Sequence, residues 1–142
     1  VVGEADAVAR VAATLGVAII ESIKFERARI EVGAPRLGAD TDEDTIPQEA
    51  ALERDAVSFT KGCFIGQELV CRIDSRGHVN RLLRRLRGGR PTVSATVETA
   101  DGREVGRVTS AVDGLGLAMI RREVEPGAEV RVGGTTSVVE VC

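Results

Sequence analysis

The sequence predicts an α+β protein, with a helix-bearing first lobe followed by a small antiparallel β-barrel. Near the start, apolar residues recur at helical spacing, with Ala5, Val8, Ala9, Ala12 and Ala13 on one face. After residue 80 the pattern changes to short alternating runs cut by Gly, Pro and Asp. The breaks Ala100-Asp101-Gly102, Asp113-Gly114 and Gly133-Gly134 are hairpin signals.

Taken in order, Ala5 to Leu15 reads as a helix that Gly16 stops. Val17 to Ile20 is a β-branched run and reads as a strand. Ser22 is the expected N-cap of a second helix reaching about Val32, ended by Gly33 and Pro35. Gly38 to Thr45 is acidic through Asp40, Asp42, Glu43 and Asp44, and reads as a solvated loop. Its glycine and glutamate do not fall where a calcium loop needs them. Val57-Ser58-Phe59 reads as a strand, Lys61 to Gly66 as a glycine-punctuated turn, and Gln67 to Ser75 as a helix broken by Arg76-Gly77-His78. The barrel strands are expected at 82–86, 92–99, 104–112, 115–121, 129–132 and 135–141. Val93, Ala95 and Val97 alternate with polar residues, as do Val130 and Val132. A boundary is expected near Arg87 to Pro91, giving domains 1–87 and 88–142.

Composition narrows the function. The chain has 142 residues, enough for one core or a lobe plus a small barrel. No apolar run approaches the roughly 20 residues that span a bilayer. Val1-Val2-Gly3-Glu4 has neither the charged nor the apolar region of a signal peptide, and no initiator Met, as an internal cut of a longer chain would have. Cys63, Cys71 and Cys142 make an odd set without a C-x-x-C pair, and His78 is the single histidine. A disulfide framework and a zinc cage are disfavoured, no metal site is expected, and a reducing cytoplasmic setting fits. The absence of Trp and Tyr and the net charge of -3 speak against nucleic acid as a partner, and no membrane partner is expected.

Lys61-Gly62-Cys63-Phe64-Ile65-Gly66-Gln67-Glu68 carries the most chemistry. Gly62 and Gly66 allow backbone conformations that a Cβ would block. Cys63 precedes a helix start, where unpaired N–H groups and the helix dipole favour a thiolate, and Lys61 adds a nearby positive charge. The alternative is a small buried hydrophobe. Cys71, on the helix, reads as packing, and Cys142 as incidental. Arg72, Arg76, Arg81, Arg84, Arg85, Arg87 and Arg90 form a basic stretch. It is either a docking surface for an acidic group or a solvated face that balances the acidic loop.

This motif, followed by Arg72, resembles the signature of YgfZ-type folate-binding proteins. Arg29-Ile30-Glu31-Val32-Gly33 resembles the Arg-x-Glu-x-Gly segment of glycine-cleavage T-proteins. Asp40 through Ile46-Pro47-Gln48-Glu49 is similar to the acidic loop and Pro-x-Glu that follow it, and Glu104 to Ser110 to the family's barrel strand. In order, these segments cover roughly residues 20–122.

The resemblance implies a partial folate-binding lobe of the T-protein (GcvT) type at 1–87 and the C-terminal barrel at 88–142. It implies tetrahydrofolate as cofactor, with Glu31 against the pterin and Arg29, Gln67 and Arg72 as further binding residues. A carboxylate suits the pterin's amidine-like edge. It also implies an accessory role in iron–sulfur cluster assembly or repair, with Cys63 as the motif thiol, Lys61 beside it, and iron–sulfur proteins as clients. These families carry an N-terminal half at least as long as this chain, holding much of the folate channel, so full binding is expected to need it. The alternatives are an aminomethyltransferase, against which Cys63 argues, and a non-catalytic interaction module.

Overall fold

The structure, a computed structural model, describes residues 4–142 except the side chain of Arg76. Val1 to Gly3, part of the N-terminal reading above, lie outside the described residues. The order is α1 (Ala5–Leu15), α2 (Ser22–Glu31), α3 (Gln67–Arg76), then β1 (Arg81–Arg87), β2 (Thr96–Glu98), β3 (Glu104–Val112), β4 (Leu115–Arg121), β5 (Glu129–Val132) and β6 (Thr135–Val141). The strands close a barrel in the order β1-β4-β3-β2-β5-β6, every pairing antiparallel. β1, on the N-terminal side of the expected boundary, is a barrel strand held by both β4 and β6.

Local chemistry explains most boundaries. α1 ends at Gly16, whose φ of 63° is open to glycine at no steric cost. The β3–β4 and β5–β6 turns use Asp113-Gly114 and Gly133-Gly134, all with positive φ. Paired positive φ values give the turn twist that hairpin strands need.

Four expectations need correction. Val17 to Ile20 and Val57 to Phe59 form no strand. Both runs are β-branched or aromatic, but neither finds a partner ladder, and without one a strand leaves its backbone groups unpaired. The strand expected at 92–99 shrinks to Thr96–Glu98, because Ser94 takes φ 69° and turns Val93 out to solvent. Ser22 is the first helical residue rather than the cap; Glu21 holds the cap position without a side-chain bond.

Two apolar clusters organise the molecule. One fills the barrel, with Leu86, Val97, Val108, Ile120, Val132 and Val139 among its members. The other lies outside the barrel wall, where Ile30 of α2 packs on Leu83, Val112, Leu115 and Leu117. Odd positions of β4 therefore face α2 and even positions face the barrel interior, as the period of two requires. Among the described residues no helix is long and apolar enough to cross a membrane.

Candidate functional site

The seam between α2 and the barrel brings distant segments together. Arg29 is buried on α2 and donates from Nη1 to Asp40 Oδ2 at 2.7 Å and to the Ala34 carbonyl at 2.8 Å. Its Nη2 donates to Ser110 Oγ on β3 and to Glu26 Oε2, each at 2.8 Å. Thr109 Oγ1 donates to the other oxygen of Asp40 at 2.5 Å. Asp40 is 3% exposed, so the acidic loop is not solvated along its whole length. Its carboxylate is the counter-ion a buried guanidinium requires.

The seam continues along β1. Glu31 Oε1 accepts from Arg87 Nη2 at 2.6 Å, and the Glu31 carbonyl accepts from Arg85. Arg85 Nε also donates to Glu140 Oε2 at 2.7 Å. The Arg87 hydrogen bond holds the Glu31 carboxyl below its ordinary pKa, and the Arg85 bond does the same for Glu140. Arg81 pairs with the buried Glu49 at 2.9 Å. Three members of the basic stretch, Arg81, Arg85 and Arg87, are thus engaged by carboxylates of this chain. Cys142 packs against Gly33, where a Cβ would come within 2.7 Å of the Cys142 Cα. Burial pushes the Cys142 thiol up to about 11.

The cysteine loop stands apart from this seam. Gly66, at φ 83°, caps α3 in a conformation that favours glycine. Phe64 and Gln67 clasp the turn: the Phe64 N–H donates to Gln67 Oε1 at 3.3 Å, and the Gln67 N–H donates to the Phe64 carbonyl at 3.2 Å. Lys61 Nζ lies 4.9 Å from the centre of the Phe64 ring, a cation–π contact. Buried Val70 anchors α3, and its carbonyl accepts from Gln48 Nε2 at 2.9 Å. Cys63 is free and exposed, while Cys71 and Cys142 are half-buried. It lines an open pocket of about 410 Å³ with Phe64, Gly66, Gln67 and Glu68. A second pocket of about 450 Å³ lies across the loop, between Lys61, Phe64 and Leu69 and the segment Asp44 to Pro47.

The sequence-derived site residues therefore fall into two groups. Cys63, Lys61 and Gln67 share the loop before α3, and Arg72 is exposed on α3 itself. Arg29 and Glu31 share the seam, and the pocket lined by Cys63 does not include Glu31. Arg29 has its guanidinium committed to protein groups, which does not suit a folate ligand. Glu31 keeps one carboxylate oxygen open beside Arg87. What the sequence reading missed is the joint role of Asp40, Thr109 and Ser110. Each lies in a quoted motif, but their convergence on Arg29 is a tertiary fact.

Residues 81–141, the barrel, match the family model for the CAF17 C-terminal β-barrel domain. The human mitochondrial iron–sulfur cluster assembly factor IBA57 is 39% identical over 85 residues, 55% of this chain and 24% of that protein. The tRNA-modifying protein YgfZ of Vibrio vulnificus is 33% identical over 114 residues, 71% of this chain and 35% of that one. The crystal structure of the glycine cleavage system aminomethyltransferase T from Bartonella henselae shares the fold, with a TM-score of 0.78 at 22% identity over 97% of this chain and 42% of that chain. Together these define a barrel-bearing protein of the aminomethyltransferase fold. The barrel matches the CAF17 C-terminal β-barrel family, and the chain is similar to YgfZ, IBA57 and aminomethyltransferase proteins. It spans about a quarter to a third of the length of the two curated relatives.

Proposed function

We propose that this chain supplies the thiol-bearing part of a tetrahydrofolate-binding accessory protein for iron–sulfur cluster assembly or repair. The observation that carries the reading is the contrast among the thiols: Cys63 is exposed in a glycine-flanked loop, while Cys71 and Cys142 are half-buried. An exposed thiol can lose its proton and engage iron, and a more enclosed one reacts less readily. One thiolate cannot hold a cluster alone, so the remaining ligands come from a client protein or a small thiol, and the cluster is cargo. Lys61, two residues before Cys63, is held over the Phe64 ring and places a cation on the same loop.

Tetrahydrofolate supplies one-carbon chemistry when bound. On this chain Glu31 would receive the pterin edge through its open carboxylate oxygen, while Arg87 holds its other oxygen in place. Arg29 would support it indirectly by fixing α2 to the barrel. The remaining folate contacts belong to the longer protein that such relatives represent. The apolar surface of Leu15, Ile19, Ile20, Phe25 and Leu37 is where that further chain would pack.

The test is Cys63→Ala in the intact protein. Stability should stay within about 0.5 kcal/mol of the parent, as for an exposed residue. The activity of an iron–sulfur enzyme in cells that depend on the protein should be lost. Unchanged enzyme activity would remove the thiol from the mechanism. Titration of tetrahydrofolate against the intact protein and its Glu31→Gln variant checks the folate half of the reading separately.

A further inference from the structure

We propose that the outer face of the barrel beside the α2 seam docks an acidic, extended segment of a partner protein on Arg81, Arg107 and Arg121. α2 covers only one end of the β1–β4–β3 face, where Ile30 packs on Leu115 and Leu117. The other end is open. There a groove of about 740 Å³ is lined by Arg81, Gly106, Arg107, Thr109, Met119 and Arg121 among others.

Register puts the charges side by side. Arg81 on β1 lies directly opposite Arg121 on β4, and Arg107 on β3 lies opposite Met119. β3 comes so close to β4 that a Cβ on Gly106 would lie 2.3 Å from the Met119 carbonyl oxygen. Like charges directly opposite on paired strands destabilise a sheet. Glu49 compensates Arg81 at 2.9 Å. Arg107 and Arg121 are exposed and form no ion pair among the described residues. This cross-strand repulsion is relieved when a carboxylate arrives.

The spacing selects the ligand. Arg107 and Arg121 are diagonal neighbours, about 7–8 Å apart at the backbone. Side chains two apart on an extended peptide are separated by roughly 6.5–7 Å. Carboxylates at alternate positions of one extended segment therefore reach both guanidiniums, each as a planar, bidentate pair. Glu104 shares the groove, and Asp42 borders it beside Arg81. These carboxylates repel a continuous phosphate backbone but leave room for a peptide whose charges fall only on the arginines.

The test uses a fluorescein-labelled peptide Gly-Glu-Thr-Glu-Thr-Glu-Gly, its Gln-for-Glu counterpart and a short single-stranded RNA. The acidic peptide should bind saturably and more weakly as salt rises, and the Gln peptide should not bind. R107A/R121A should weaken binding about tenfold or more, with a thermal melt no lower than the parent's. Arg131→Ala, an exposed arginine on β5, should leave binding unchanged. If the double variant loses its fold, Arg121→Gln alone serves in its place. Absence of saturable binding, equal losses in the Arg131 and Arg107/Arg121 variants, or displacement of the peptide by RNA at equal concentration would overturn the proposal.

Discussion

The barrel and the helical lobe solve the burial problem differently. The barrel encloses its own core of Val, Leu, Ile and Ala side chains and presents short, paired strands on every side. Before Arg81, the buried apolar residues among those described are Ala12, Ile30, Ala50 and Val70. The same region exposes Leu15, Val17, Ile19, Phe25, Leu37 and Ile65. The lobe is held less by a core of its own than by what it fastens to the barrel: Arg29 to Asp40 and Ser110, Glu31 to Arg87, and Ile30 to the outer cluster. A closed unit thus anchors an open one, and the exposed thiol belongs to the open one.

Arg29→Ala should blur this division most. It leaves Asp40 buried without its cation, and breaking a buried pair in this way costs about 3–5 kcal/mol. Urea unfolding should show that loss, and hydrogen exchange should show faster exchange in α2 while the barrel strands stay protected. Uniform loss of protection across both regions would mean that they unfold as one unit. Ile30→Ala should act on the same seam with a smaller effect, about 3 kcal/mol for a fully buried side chain. Its effect should appear as earlier release of α2 in the same experiment.

Acid should loosen the seam more gently. Glu26, Glu31 and Glu140 all have folded pKa values below the ordinary 4.5, held down mainly by hydrogen bonds from Arg29, Arg87 and Arg85 respectively. Their stabilisation is complete above pH 4.5 and is lost as pH falls through the lower folded values. The melting temperature should therefore fall on acidification below that point, and Glu140→Gln should flatten the fall.

The barrel was legible because its signals are local. Alternation in Val130 and Val132, and turn pairs such as Asp113-Gly114, specify strands and hairpins without tertiary information. The helices were legible for the same reason, as the agreement over Ala5–Leu15 shows. The expected strands at Val17 to Ile20 and Val57 to Phe59 failed because β-branched composition needs a partner edge, and none lies beside them among the described residues. The cysteine loop could be read from its glycines. The solvated reading of Asp40 failed because an acidic run reads as one unit in sequence, whereas a single member turned inward to meet Arg29. Nothing in a local window links position 29 to position 110.

The most direct test of the account is the relative reactivity of the three thiols in the native protein. Brief treatment with a maleimide, followed by peptide mass spectrometry, should modify Cys63 and leave Cys71 and Cys142 largely intact until denaturant is added. Labelling of Cys63 no faster than Cys142 would contradict an open thiol on an anchored lobe.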